Sequence, residues 1–157
     1  EDSMAECTLR AFTQADGDWL REWFQTDAQG LGQFLGFALE NEGACIAGFN
    51  SLFSGCQQGT AQFWMIDRGA DPIGFVALTD VPATLDVGRV HIYIEPAQRR
   101  YSLRAARAAQ QTITELGFKR LVATQARDNK AAAALAKRVG FLPHPMVVLE
   151  KQLHPEG

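Results

Sequence analysis

The stretch IEPAQRRYSLRAARAAQ, Ile94 to Gln110, decides how this chain is read. Pro96 has no N–H to give a strand ladder, so the strand before it stops there. Basic residues follow, and from Ser102 the pattern turns helical. This is the outline of a turn that cradles a phosphate. The first turn of a helix carries unpaired N–H groups and a partial positive charge, and anions settle there. Such a turn usually has glycine where the phosphate must meet bare backbone. Here Ser102 and Arg104 stand in those places. A serine hydroxyl can cap the helix or donate to a phosphate, whereas the stem of Arg104 would take up the phosphate's space. Arg100, Arg104 and Arg107 offer guanidinium contacts in exchange. The plainer reading of these arginines is a solvated basic face.

Upstream, GRVHIYIEP (Gly88–Pro96) is rich in Val, Ile and Tyr and reads as a strand. Alternation puts Val90, Ile92 and Ile94 on one face and His91, Tyr93 and Glu95 on the other; a bulge near Ile94 would reset that parity. Before it, TAQFWMID (Thr60–Asp67), a turn RGAD and PIGFVALTDV (Pro72–Val81) form a hairpin. Downstream, Ser102–Leu116 is a helix with a stripe of Leu103, Ala106, Gln110, Ile113 and Leu116, closed by Gly117. FKRLVATQA (Phe118–Ala126) is a strand. RDNKAAAALAKRVGF (Arg127–Phe141) is a helix capped by Asp128 or Asn129 and closed by Gly140. MVVLEKQL (Met146–Leu153) is a last strand.

The N-terminal third is less regular. CTLRAF (Cys7–Phe12) alternates as a strand does. Asp16 or Asp18 can cap a helix with the apolar stripe Trp19, Leu20, Trp23 and Phe24. Two further helical pieces are read between Leu31 and Gly55, interrupted by glycines. Trp19, Trp23, Phe34, Phe37, Phe49 and Phe53 are most simply core residues packing helices on a sheet. The order is strand, helices, three strands, helix, strand, helix, strand. Antiparallel strands come first, then right-handed parallel crossovers.

The composition narrows the function. At 157 residues the chain suits one domain, 1–157, with residues 1–6 read as a disordered or partly vector-derived start. A net charge of −3 gives no general pull toward nucleic acid or anionic membrane. No apolar run is long enough to span a bilayer. Cys7, Cys45 and Cys56 are odd in number and lack CxxC spacing, which suits a reduced cytoplasmic protein. His91, His144 and His154 sit at no zinc spacing, so no metal site is expected.

Taken together, TLRAFTQAD, DRGADPIGFVAL, IEPAQRRYSLRAA and NKAAAALAKRVGF, in this order and spacing, resemble the GNAT (Gcn5-related N-acetyltransferase) superfamily over nearly the whole chain. The resemblance implies an α/β (α+β) fold: a mixed, mostly antiparallel sheet of six to seven strands, splayed at a central bulge and flanked by helices. It implies acetyl-CoA, or another acyl-CoA, as cofactor, with the pantetheine arm lying in the parted strands against Ile92 and Ile94. The pyrophosphate would lie among Arg99, Arg100, Tyr101, Ser102, Leu103 and Arg104, and Asn129 would add a cofactor-side contact; its plain reading is a helix cap. The tyrosine that protonates the leaving thiolate in many relatives is replaced here by Ala136, with Tyr101 and Tyr93 as substitutes by residue type.

The amine acceptor, small molecule or protein, needs a base. His91 and Glu95 are the candidates, with Glu40 and Glu42 behind them; each has a plain structural or solvated reading as well. An edge strand beside the gap is compatible with a homodimer. The implied activity is acyl-CoA-dependent N-acetyl transfer. The alternative is a GNAT-fold binding or structural protein without that activity, in a phage-encoded setting for example, to which Arg104 and Ala136 both point.

Overall fold

The structure is a computed structural model that describes residues 6–35, 41–81, 86–124, 129–143, 151 and 153. Five strands are present among them: β1 (Cys7–Ala11), β2 (Gln62–Arg68), β3 (Asp71–Thr79), β4 (Val87–Ile94) and β5 (Arg120–Val122). They form one sheet in that order, with β1 to β4 antiparallel and β5 parallel to β4. The last expected strand, at 146–153, falls almost wholly outside the described residues.

Helix α1 (Gly17–Leu35) takes in the start of the first of the two further helical pieces expected after Leu31, the rest of which lies at 36–40 outside the described residues, and α2 (Glu42–Gln58) is the second. Alpha-helical dihedrals fail within α1 at Asp27 (φ −152°, ψ 54°). Its carboxylate accepts from the Gly30 N–H at 3.3 Å, as an N-cap does, so the helix breaks and restarts at one residue. Ahead of α1, a short 3-10 helix (Gln14–Asp16) makes the entry. Asp16 accepts from the Thr13 N–H and hydroxyl and from both Nη atoms of Arg10, at 2.8–3.0 Å. It therefore ties β1 to the helix start from a buried position rather than capping from the surface.

The sheet has a core on each face. On one, Leu20, Trp23, Leu31 and Phe34 of α1 and Cys45 and Phe49 of α2 pack on Met65, Phe75, Ala77 and Tyr93. On the other, α3 (Ser102–Glu115) packs on Ile66, Ile73, Val76 and Ile94. The buried row of α3 is Ala105, Ala109 and Ile113, continuing the buried Tyr101. This corrects the expected stripe: Gln110 and Leu116 are exposed. Alanines four apart let the helix lie close to the sheet, which a row of larger side chains would prevent. Trp19, expected in the core, sits on the outer side of α1 and is 36% exposed. Phe37 lies outside the described residues.

The face assignment of β4 holds, with Tyr93 toward α1 and Ile94 toward α3. The bulge expected near Ile94 is absent: the register on β3 runs unbroken from Gly74↔Ile94 to Thr79↔Arg89. The ladder irregularity lies instead between Ile66 and Asp67 on the β2–β3 pair. Gly74 is required where β3 and β4 approach, because a Cβ there would lie 2.0 Å from the Tyr93 carbonyl oxygen.

Candidate active site

Among the described residues β4 pairs with β5 only at Val87↔Arg120, Gly88↔Leu121 and Arg89↔Val122. Beyond Arg89 the two strands part, because β5 ends at Val122 while β4 continues to Ile94. The edge of β4 that this leaves has a definite chemistry. The Glu95 N–H donates to the Ile73 carbonyl at 2.9 Å, which fixes the phase of the ladder. Antiparallel alternation then turns the N–H and C=O of Val90, Ile92 and Ile94 away from β3 and into the gap. The Ile94 carbonyl accepts there from Arg99 Nε at 3.1 Å.

A cleft of about 400 Å³ occupies the gap. Its walls include Gly30, Phe34, His91 and Tyr93 from one side of the sheet and Ser102, Ala106 and Gln110 of α3 from the other. It therefore runs through the sheet. α4 (Lys130–Arg138) supplies a third wall with Ala132, Leu135 and Ala136, and Val139 extends it. Asn129 also lines the cleft and caps α4, its side chain accepting from the Ala132 N–H at 3.1 Å.

Of the candidate residues, His91, Ile92, Ile94, Arg99, Ser102 and Asn129 meet at this cleft. Of the rest, Tyr93 also lines it, whereas Glu42, Glu95, Arg100, Tyr101, Leu103 and Arg104 do not. Glu95 accepts from Trp23 Nε1 at 2.8 Å. Tyr101 is buried in the α3-side core, with the guanidinium groups of Arg68 and Arg100 over its ring at 4.4 and 4.9 Å. Leu103 and Arg104 are turned about 100° and 200° from Ser102 around the helix. Arg104 is exposed and close enough to Cys7 to act on its thiol, so its stem points away from the cleft. Glu42 is exposed and pairs with Arg21 at 3.3 Å; Glu40 and Asp128 lie outside the described residues.

Four groups give the cleft its electrostatics. His91 shares a 2.9 Å hydrogen bond between Nε2 and the Thr79 hydroxyl, and the ring of Phe34 lies against it. Burial pushes its pKa below the ordinary histidine value; the neighbouring Arg89 adds to this and Asp80 opposes it. The imidazole therefore stays neutral at neutral pH. Tyr93 donates its hydroxyl to Asp27 Oδ2 at 2.9 Å. Burial first, and the Asp27 carboxylate next, push the phenol far above its usual range. Arg99 Nη2 reaches the same Asp27 oxygen at 3.0 Å. One carboxylate thus links α1, β4 and the 3-10 helix Pro96–Tyr101 that leads into α3. The Ser102 amide donates to the Arg99 carbonyl, which joins that 3-10 helix to α3 and sets the serine side chain on the cleft wall.

Sequence reading missed Gly30 and Asp27, and took Phe34 first as a core residue with an apolar acceptor site as the lesser reading. Their approach to β4 is tertiary, and the kink that brings them there has no period. Tyr93 and Ala106 were visible through their strand face and helix row. Among the described residues no cluster of His, Cys, Asp or Glu could hold a metal ion. No helix among them is long and apolar enough to cross a membrane. Cys7, Cys45 and Cys56 are unpaired thiols.

A strand pair parted over a cleft, with a basic turn and a helix start at its mouth, defines a class of proteins that hold an extended, phosphate-bearing ligand against a strand edge. The family model for the acetyltransferase (GNAT) domain matches residues 6–142, and the chain belongs to that family. No curated protein matches the sequence. Among solved structures, the spermidine N-acetyltransferase from Vibrio cholerae in complex with CoA and spermine is similar with a TM-score of 0.75. The identity is 17%, over 92% of this chain and 86% of that one. The acetyltransferase from Salmonella typhimurium that modifies the N-terminal serine of ribosomal protein L7/L12 gives 0.71 at 19% identity, over 90% and 83%. The microcin C7 self-immunity acetyltransferase in complex with acetyl-CoA and AMP gives 0.66 at 19%, over 87% and 78%. At these identities the likeness is one of fold.

Proposed function

We propose that this chain is an acyl-CoA-dependent N-acetyltransferase that holds its donor in the cleft between β4 and β5. The observation that carries the reading is the parted edge of β4, whose main-chain groups face a cleft with Arg99 and Ser102 at one end. The donor set fits. Edge amides and carbonyls match an amide-bearing arm, and the Arg99 guanidinium and the Ser102 hydroxyl match a diphosphate, the Ser102 N–H expected to receive it being already taken by the Arg99 carbonyl. Acyl-CoA supplies an activated thioester when bound. The residues of the chain do the rest.

Val90 and Ile92 would hold the arm as an added strand, and Arg99 and Ser102 would receive the phosphates. The acceptor would be an amine of a small molecule or of a protein, as the activities of the similar acetyltransferases suggest, and would enter past Gly30 and Phe34. His91 would take the amine's proton, since it lines the cleft and is neutral at neutral pH. Tyr93 is held protonated by Asp27, which suits it to wall and orient rather than to give up its proton. The unpaired thiols support a cytoplasmic setting.

Thermal unfolding with CoA tests the reading. A ligand at about 100 times its dissociation constant adds about 2.7 kcal/mol. For a chain of this size that is a rise in Tm of roughly 5–10 °C. No rise at millimolar CoA would remove the transferase reading and leave a GNAT-fold scaffold.

A further inference from the structure

Thr79 does not line the cleft, yet its hydroxyl lies 2.9 Å from Nε2 of His91, which does. The register explains the reach. Ala77 stands opposite His91 and Arg89 opposite Thr79, so Thr79 and His91 are diagonal neighbours on one face of the β3–β4 pair. The small side chain of Ala77 gives the imidazole room to lean toward the hydroxyl. A β-branched residue has few rotamers, so that hydroxyl has a fixed place. The Phe34 ring stands at 67° to the imidazole, with centroids 5.8 Å apart, and limits its rotation.

An imidazole with one nitrogen engaged works through the other. Nδ1 of His91 makes no hydrogen bond among the described residues. A neutral imidazole carries one proton, and its hydrogen-bond partner decides which nitrogen keeps it. A hydroxyl can donate or accept, so two arrangements fit the contact. If Thr79 donates, the proton sits on Nδ1 as an N–H without an acceptor. If Thr79 accepts, the proton sits on Nε2 and Nδ1 keeps a lone pair. Unpaired N–H groups are rarer in folded proteins than unpaired acceptors. Thr79 is half-buried, so its own hydroxyl hydrogen can turn to water. Among the described residues the charged groups acting on the imidazole are Arg89 and Asp80, and they pair with each other at 3.1 Å.

We infer that Thr79 is a positioning residue: its hydroxyl holds the proton of His91 on Nε2 and so leaves the Nδ1 lone pair to take the acceptor's proton. The inference rests on the reading of His91 as the base. In the step it serves, one proton leaves the acceptor nitrogen for Nδ1, and the lone pair so freed attacks the thioester carbon. The imidazolium keeps its Nε2–H on Thr79, and gives the other proton to water after the thiolate has left.

NMR of the full chain with isotope-labelled nitrogen tests this and needs neither cofactor nor acceptor, because protonated and unprotonated ring nitrogens resonate far apart. The signals lost in His91→Gln assign the ring. Above its pKa, the imidazole of the unaltered chain should carry its proton on Nε2. Thr79→Val keeps the shape without the hydroxyl, and the preference for Nε2 should fall by about two- to tenfold, the worth of one hydrogen bond. Thr79→Ser should restore it, and Thr79→Ala repeats the deletion should Thr79→Val fold poorly. Asp80→Asn is the control. It removes a charge that raises the His91 pKa, so the titration should move to lower pH while the ratio of the two forms stays. A ratio unchanged in Thr79→Val would overturn the inference and leave His91 as the base. A proton found on Nδ1 in the unaltered chain would overturn the inference and remove His91 as the base, while CoA binding stands on its own thermal shift. The expected ratio in a chain whose Tm does not respond to CoA would remove the transferase reading, and with it the task inferred for Thr79.

Discussion

Asp16 is buried at the entry to α1 and Asp27 is partly buried within it, and they do different work. Asp16 is clasped by Arg10 and Thr13, and the Arg10 hydrogen bonds chiefly hold its carboxyl down to about 2 from 3.8. A depressed acid stabilises the fold above its unfolded pKa and loses that contribution as pH falls toward the folded one. Over that window the shift corresponds to about 2 kcal/mol. Asp16→Asn should therefore be less stable at pH 7 by about that amount, read from urea unfolding. It should also lack the share of acid destabilisation that the unaltered chain shows between about pH 4 and pH 2. Asp27 holds Tyr93 and Arg99. Asp27→Ala would strand the hydroxyl of Tyr93, a residue only 3% exposed, at a cost of about 1–3 kcal/mol in chemical denaturation. His91→Gln should lower kcat by about 10²–10⁴-fold and remove the acidic limb of its pH profile, since it takes away the proposed base. Of these three, only His91 drew notice as chemistry in the sequence. Asp16 could be read there as a cap, but its bond to Arg10 follows from β1 and the helix entry meeting in space. Nothing local marks Asp27.

At the level of elements, β4 and α3 were legible, and α1 only in its first half. The period-two run from Val90 to Ile94 fixes faces whatever the strand pairs with, and the structure keeps them. Helix α3 was placed correctly but turned wrongly, because large apolar residues were weighted above alanines. What decides its orientation is how near the helix comes to the sheet, and that distance is not local information. Gly30 and Gly32 hid the join of α1 to its second half, which the Asp27 carboxylate makes from outside the helical pattern. The β3–β4 pair yields the sharpest element-scale test. Gly74→Ala would drive a Cβ into the Tyr93 carbonyl, which backbone cannot yield cheaply. A loss of more than about 3 kcal/mol is expected in equilibrium unfolding, with the parted edge disturbed as well.

Across the whole molecule, packing is uneven. β3 is buried along its middle from Ile73 to Leu78, whereas α4 buries nothing. Amide exchange should follow this gradient, slow in β3 and fast in α4. Adding CoA should slow exchange in α4 and along Val90–Ile94 most, and change β1 least. Uniform protection would mean that the ligand lies elsewhere than in the cleft.

The buried indole of Trp23 has a consequence for watching that event. Its N–H rests on Glu95, the residue that follows β4, and its ring lies 5.8 Å from that of Tyr93. The fluorophore is thus wired to the tip of the strand that borders the cleft. Any shift of that tip when a molecule docks should alter its emission, so the native chain carries its own optical gauge of occupancy without a label.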